Sequence, residues 1–181
     1  LACFVLEAMP KHFAKRGWLS FASRKDVSMN KHEAVGVAGT ESNLSSKARL
    51  LLAEDDFELR ELLACVLRAD GHDVVEARDG NELWSLLSGE NEASTGAAQP
   101  PFALVVSDVR MPGLTAFDVL SKLQRSLTDT PVILITAFGD QTTHMRALRL
   151  GASRVFDKPF DCDDLRAAVH ETLHQQARRA S

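Results

Sequence analysis

From Arg49 onward the sequence predicts an α/β domain, doubly wound, with a five-stranded parallel sheet and five helices. Three observations predict it. Short apolar runs alternate with amphipathic segments, the pattern of parallel strands joined by crossover helices. The amphipathic segments carry their apolar residues at helical spacing. The run Pro131–Thr136 is almost continuously apolar, as expected of a strand covered on both faces.

Leu50-Leu51-Leu52-Ala53 reads as the first strand, and Leu59, Leu62, Leu63, Val66 and Leu67 share one face of the helix after it, which Gly71 ends. His72–Glu76 is the second strand, followed by a helix with Leu83, Leu86 and Leu87 along its stripe. Ser88–Pro101, rich in small residues and proline, is a loop longer than most helix-to-strand connections, a candidate mobile insertion. Ala103–Ser107 is the third strand, and Val119, Leu120, Leu123 and Leu127 mark the third helix. Pro131–Thr136 is the fourth strand, after which Met145, Ala147 and Leu148 lie on a helix ended by Gly151. Arg154–Phe156 is the fifth strand, and Leu165, Ala168, Val169 and Leu173 form the last stripe.

The domain is expected over residues 47–177, with 1–46 a flexible or poorly defined leader and 178–181 a short tail. The leader has no sustained period and ends in a stretch rich in Gly, Ser, Thr and Asn. Lys11, Lys15, Arg16, Arg24, Lys25 and Lys31 make it mildly basic, which reads first as a solvated tail. The chain starts at Leu1 rather than Met, so Met29 is a candidate true start and a fragment of a longer protein is an open expectation.

Of the 181 residues, 45% are hydrophobic and 25% charged, an ordinary soluble composition. Against 25 acids stand 21 basic residues, a formal charge of -4 that argues against direct nucleic-acid binding. Cys3, Cys65 and Cys162 are odd in number and form no C-x-x-C pair, which points to reduced thiols and a cytoplasmic protein. The Leu1–Leu6 run is too short for a signal peptide, and no later run approaches membrane-spanning length.

In open parallel sheets, ligands bind beyond the carboxyl ends of the strands. There the first strand runs into Glu54-Asp55-Asp56, the third into Asp108, the fourth into Thr136-Ala137 and the fifth into Asp157-Lys158-Pro159. Each has a bland reading alone: acids at a helix N-terminus, a turn aspartate, a strand-end threonine, an exposed lysine. Their arrival at one rim favours a site. Carboxylates from two strands repel unless a cation lies between them, and hard oxygen donors favour Mg²⁺. Lysine suits a phosphoryl oxygen, and Thr136 can donate to the same group. These are the parts for phosphoryl transfer to an aspartate.

The segments LLAEDD, VVSDVRMPG, ILITAFGD and GASRVFDKPF are spaced as in the receiver domains of two-component response regulators, and from about Arg49 to Gln176 the chain resembles that family. ITAFGD and VFDKPF look most like receivers of nitrogen-regulation-type transcription activators. The resemblance implies a flavodoxin-like fold, Asp108 as phosphoacceptor, and Mg²⁺ held by Glu54, Asp55, Asp108 and the main-chain carbonyl of Arg110. It implies Thr136 as switch hydroxyl, Lys158 as the phosphoryl-pairing lysine, a cis bond before Pro159, and Ala137 leaving room for the phosphoryl group. The donor would be a sensor histidine kinase or histidine phosphotransfer protein. The responding surface, the fourth helix, fifth strand and fifth helix, would dimerise or dock an effector protein.

The chain departs from the family pattern at three places. Val155 stands three residues before the lysine, where the family usually has an aromatic, with Phe156 next to it; Ala116 follows the M-P-G segment where Gly is frequent; and the Ser88–Pro101 connection is long. A phosphatase with an aspartyl-phosphate intermediate is the rival reading, but such enzymes usually place an acid where this chain has Arg110. A non-phosphorylated binding scaffold is a second rival, opposed by intact Asp108, Thr136 and Lys158. A dinucleotide fold would need Gly where the first turn has acids, and the six histidines lack zinc spacing with the cysteines.

Overall fold

The computed structural model describes residues 47–89, 101–126 and 129–180. The expected leader, most of Ser88–Pro101, Leu127 and Ser181 lie outside the described residues. The elements are β1 (Arg49–Ala53), α1 (Phe57–Ala69), β2 (Asp73–Ala77), α2 (Gly80–Ser88), β3 (Leu104–Asp108), α3 (Ala116–Ser126), β4 (Val132–Thr136), α4 (Gln141–Arg149), β5 (Arg154–Asp157) and α5 (Cys162–Ala180). The strands form one parallel sheet in the order β2-β1-β3-β4-β5, bearing out the expected fold class.

Alternation along each strand divides the core in two. Leu50, Leu52, Leu104, Val106, Ile133 and Ile135 pack with Leu63 and Leu67 of α1 and with Leu165, Ala168 and Val169 of α5. Leu51, Ala53, Val105 and Leu134 point to the other face, against Leu83 of α2, Leu120 and Leu123 of α3, and Ala147 of α4. Covering on both faces explains why the runs are continuously apolar. The order reverses between β1 and β3, which opens the crevice at their carboxyl ends.

The helix starts are fixed by short polar residues that take up free N–H groups. Asp56 accepts from Leu59 N–H (2.9 Å), Asp79 from Asn81 and Glu82 N–H (2.9 Å each), and Asp140 from Thr143 N–H (2.6 Å). At α3, Thr115 and Asp118 cap each other reciprocally.

Met145, Ala147 and Leu148 lie on α4 as expected, but Met145 and Leu148 are 45% and 58% exposed, and Ala147 alone is buried on that helix. One expectation needs correction: the last helix, expected to end before Gln175, runs to Ala180. Gln175-Gln176-Ala177-Arg178-Arg179-Ala180 contains only good helix formers and no Gly or Pro to end it.

Candidate functional site

The acidic triplet after β1 splits by role. Asp56 caps α1, the helix-terminus reading, whereas Glu54 and Asp55 turn toward the crevice. Glu54 is 1% exposed; its N–H donates to Ala77 O (3.2 Å), and its carbonyl accepts from the Arg60 guanidinium (2.7 Å). Asp108 ends β3 and is buried, with Oδ1 accepting from Arg110 N–H at 2.7 Å. One carboxylate oxygen from each of Glu54, Asp55 and Asp108 lies within 4.8 Å of the others.

Lys158 reaches this cluster from the far edge of the sheet. Its Nζ donates to Glu54 Oε1 and Oε2 (2.9 and 2.8 Å) and to Asp108 Oδ2. Its own N–H donates to Thr136 O (2.7 Å), which ties the β5 end to the β4 end, and the Lys158–Pro159 bond is cis as expected. Thr136 is buried one position beyond Ile135, the strand partner of Asp108, and its hydroxyl accepts from Phe138 N–H (3.1 Å). Ala137 follows it, exposed, at the mouth of the crevice.

Burial pushes the Glu54 carboxyl up from the ordinary carboxylate range; the Lys158 hydrogen bond opposes this, Asp108 repels it further, and the balance lies at about 7. Burial disfavours the Lys158 ammonium, but its bonds to Asp108 and Glu54 outweigh that and hold its pKa above the usual lysine value. Three carboxylates against one ammonium leave a surplus of negative charge. All the donors are hard oxygens, so the residues present fit a Mg²⁺ ion.

Val155 and Phe156 take opposite faces of β5. Val155 packs into the core on the α4 side, while Phe156 joins the α1/α5 side and meets Phe160 with ring centroids 5.8 Å apart. Phe156 therefore cannot stand in for an aromatic at position 155.

Two contacts near the rim could not be read from spacing. The Arg110 guanidinium lies over the Phe138 ring, 4.5 Å from its centroid, joining the turns after β3 and β4. His144 Nε2 of α4 is 2.7 Å from Asp157 Oδ1, a bond between α4 and the residue beside Lys158. Among the described residues Cys65 and Cys162 are free, and no helix is long and apolar enough to cross a membrane.

Comparison with known proteins agrees with this geometry. A family model described as "Response regulator receiver domain" matches residues 50–170. A "Transcriptional regulatory protein CpxR homolog" of Haemophilus influenzae is 35% identical over 130 residues, covering 72% of this chain and 52% of the relative. The "Transcriptional regulatory protein FixJ" of Bradyrhizobium diazoefficiens is 29% identical over 132 residues, 73% of this chain and 60% of the relative. The chain thus spans about half the length of the curated relatives it matches. Among solved structures, a Francisella response regulator receiver domain superposes with TM-score 0.62 at 25% identity, covering 72% of this chain and 99% of that one. A CheY-like receiver protein of Methanospirillum hungatei gives TM-score 0.63 at 21% identity, covering 74% and 99%.

Proposed function

Since the chain belongs to the response regulator receiver family of two-component systems, we propose that Asp108 is its phosphoacceptor, loaded by a histidine kinase or histidine phosphotransfer protein. The observation that carries this reading is the Lys158 ammonium bonded to both Glu54 and Asp108 where three carboxylates converge.

An Asp108 oxygen attacks the phosphorus of a phosphohistidine; the new O–P bond forms as the P–N bond breaks, and the imidazole nitrogen leaves with the electron pair. Lys158, already against Asp108, pairs with a phosphoryl oxygen as charge spreads over the transferring group. Glu54, Asp55, Asp108 and the Arg110 carbonyl would hold Mg²⁺, which when bound supplies further neutralisation of that charge. Arg110 N–H holds one Asp108 oxygen, which orients the carboxylate. The Thr136 hydroxyl, now taken by Phe138 N–H, is the group that turns toward the phosphoryl oxygens, with Ala137 leaving space beside it. Water later releases phosphate, so the domain modifies itself rather than turning over a substrate pool. A hydrolase would want an acid at position 110, where this chain stacks an arginine on Phe138.

The surface that responds is α4, β5 and α5, where Met145 and Leu148 are exposed. It docks an effector protein or a second copy of the chain in the cytoplasm, without nucleic-acid or membrane contact of its own. Incubation with acetyl phosphate and Mg²⁺, followed by intact-mass measurement, tests the assignment. One phosphoryl group should load on the wild type and none on Asp108→Ala; equal uptake by both would refute it.

A further inference from the structure

The turn that follows Asp108 is pinned at its base. Val109 N–H donates to Ile135 O (2.8 Å), Ala116 N–H returns to Val109 O (3.3 Å), and Met111 is buried in the core. Its apex, Pro112–Leu114, rests on the first turn of α2. Gly80 N–H donates to Pro112 O (3.0 Å), and a Cβ on Gly80 would lie 1.7 Å from Leu114 O, a backbone atom that no rotamer change can move aside. Gly113 meets the same turn from the other side: its φ is +78°, and a Cβ there would lie 2.5 Å from Asn81 Nδ2. The α2 start is itself stiff, because Asp79 accepts from Asn81 and Glu82 N–H while the Glu82 carboxylate returns to Arg78 N–H (2.9 Å).

We propose that this capped turn of α2 is a mould for the backbone after the acceptor, with Gly80 a positioning residue for the metal-binding edge of the site. The inference rests on the reading of Asp108 and the Arg110 carbonyl given above. Because the turn is tied at Val109 and Ala116, an apex pushed away by a side chain at position 80 has only residues 110–115 to absorb the shift. Arg110, whose N–H orients Asp108, is among them. Metal sites lose affinity when the groups that hold their ligands move.

The test is Mg²⁺ titration of the full chain followed by amide NMR, for wild type, Gly80→Ala and Gly71→Ala. Gly71 is a matched control: at φ +92° an alanine is strained there too, but a Cβ would meet nothing within 4 Å, and the position lies at the opposite end of the sheet. Gly80→Ala should weaken Mg²⁺ binding about tenfold or more, with Gly71→Ala unchanged. If Gly80→Ala does not fold, the exposed Asn81→Ala carries the test, with a loss of more than about threefold expected. Wild-type affinity in the position-80 variant, or in the position-81 variant where that one is used, overturns the inference; so does equal weakening by Gly71→Ala. A wild-type chain that shows no Mg²⁺-dependent shift sinks the proposed function itself and this inference with it.

Discussion

At the scale of single residues, the site is a charge problem that one lysine offsets only in part. Lys158 bonds two buried acids that would otherwise face each other across the crevice, so Lys158→Ala should slow phosphoryl uptake from acetyl phosphate about 100-fold, read by intact mass over time. Glu54 gives a pH dependence with a definite sign. Its folded-state pKa of about 7 lies above its ordinary 4.5, so the folded chain keeps that proton longer than the unfolded one. Its contribution to stability is complete below about pH 4.5 and is lost as the pH rises to 7. Without Mg²⁺, urea midpoints measured across that window should fall less steeply in Glu54→Gln than in wild type; identical slopes would contradict the burial argument. These roles were half legible beforehand. Strand-end position selected Glu54, Asp55, Asp108, Thr136 and Lys158, but position alone did not tell a helix cap from a site acid in the triplet Glu54-Asp55-Asp56, because both jobs want a carboxylate after a strand; only the family resemblance singled out Glu54 and Asp55. The Arg110–Phe138 and His144–Asp157 contacts join separate segments and leave no mark in local spacing.

At the scale of elements, the strands were legible because two-sided covering writes itself as an apolar run, and α1 because its stripe is wide. The α4 helix was legible as a helix, but the spacing of Met145, Ala147 and Leu148 did not tell that only the smallest of them is buried. That exposed pair separates fold from output: Met145→Asp with Leu148→Asp should change the unfolding free energy from urea titration by no more than about 0.5 kcal/mol. The same change should abolish any self-association or effector binding that phosphorylation induces, as followed by sedimentation velocity. The C-terminal helix is docked differently. Arg166 Nε donates to Asp70 Oδ2 (2.7 Å), and its Nη2 to Asp70 Oδ1, fastening α5 to the end of α1. Both side chains remain partly exposed, so Arg166→Ala should cost about 1 kcal/mol in urea unfolding.

For the whole molecule, the sheet is both the stability core and the scaffold of the site. Leu134 is fully buried in the central part of β4, so Leu134→Ala should cost about 2–5 kcal/mol by denaturant titration. That is a large share of the roughly 5–15 kcal/mol typical of a domain. Strand order was not written in any one segment: handed crossovers only narrow the arrangements, and the flavodoxin-like one came with the resemblance to the receiver family.

The Lys158–Glu54 contact spans 104 positions of the chain and joins the first strand to the end of the last. The proposed acceptor Asp108 stands 50 positions before Lys158, so during synthesis it emerges ahead of its counter-ion, and a nascent chain that still lacks β5 should load phosphate as slowly as Lys158→Ala.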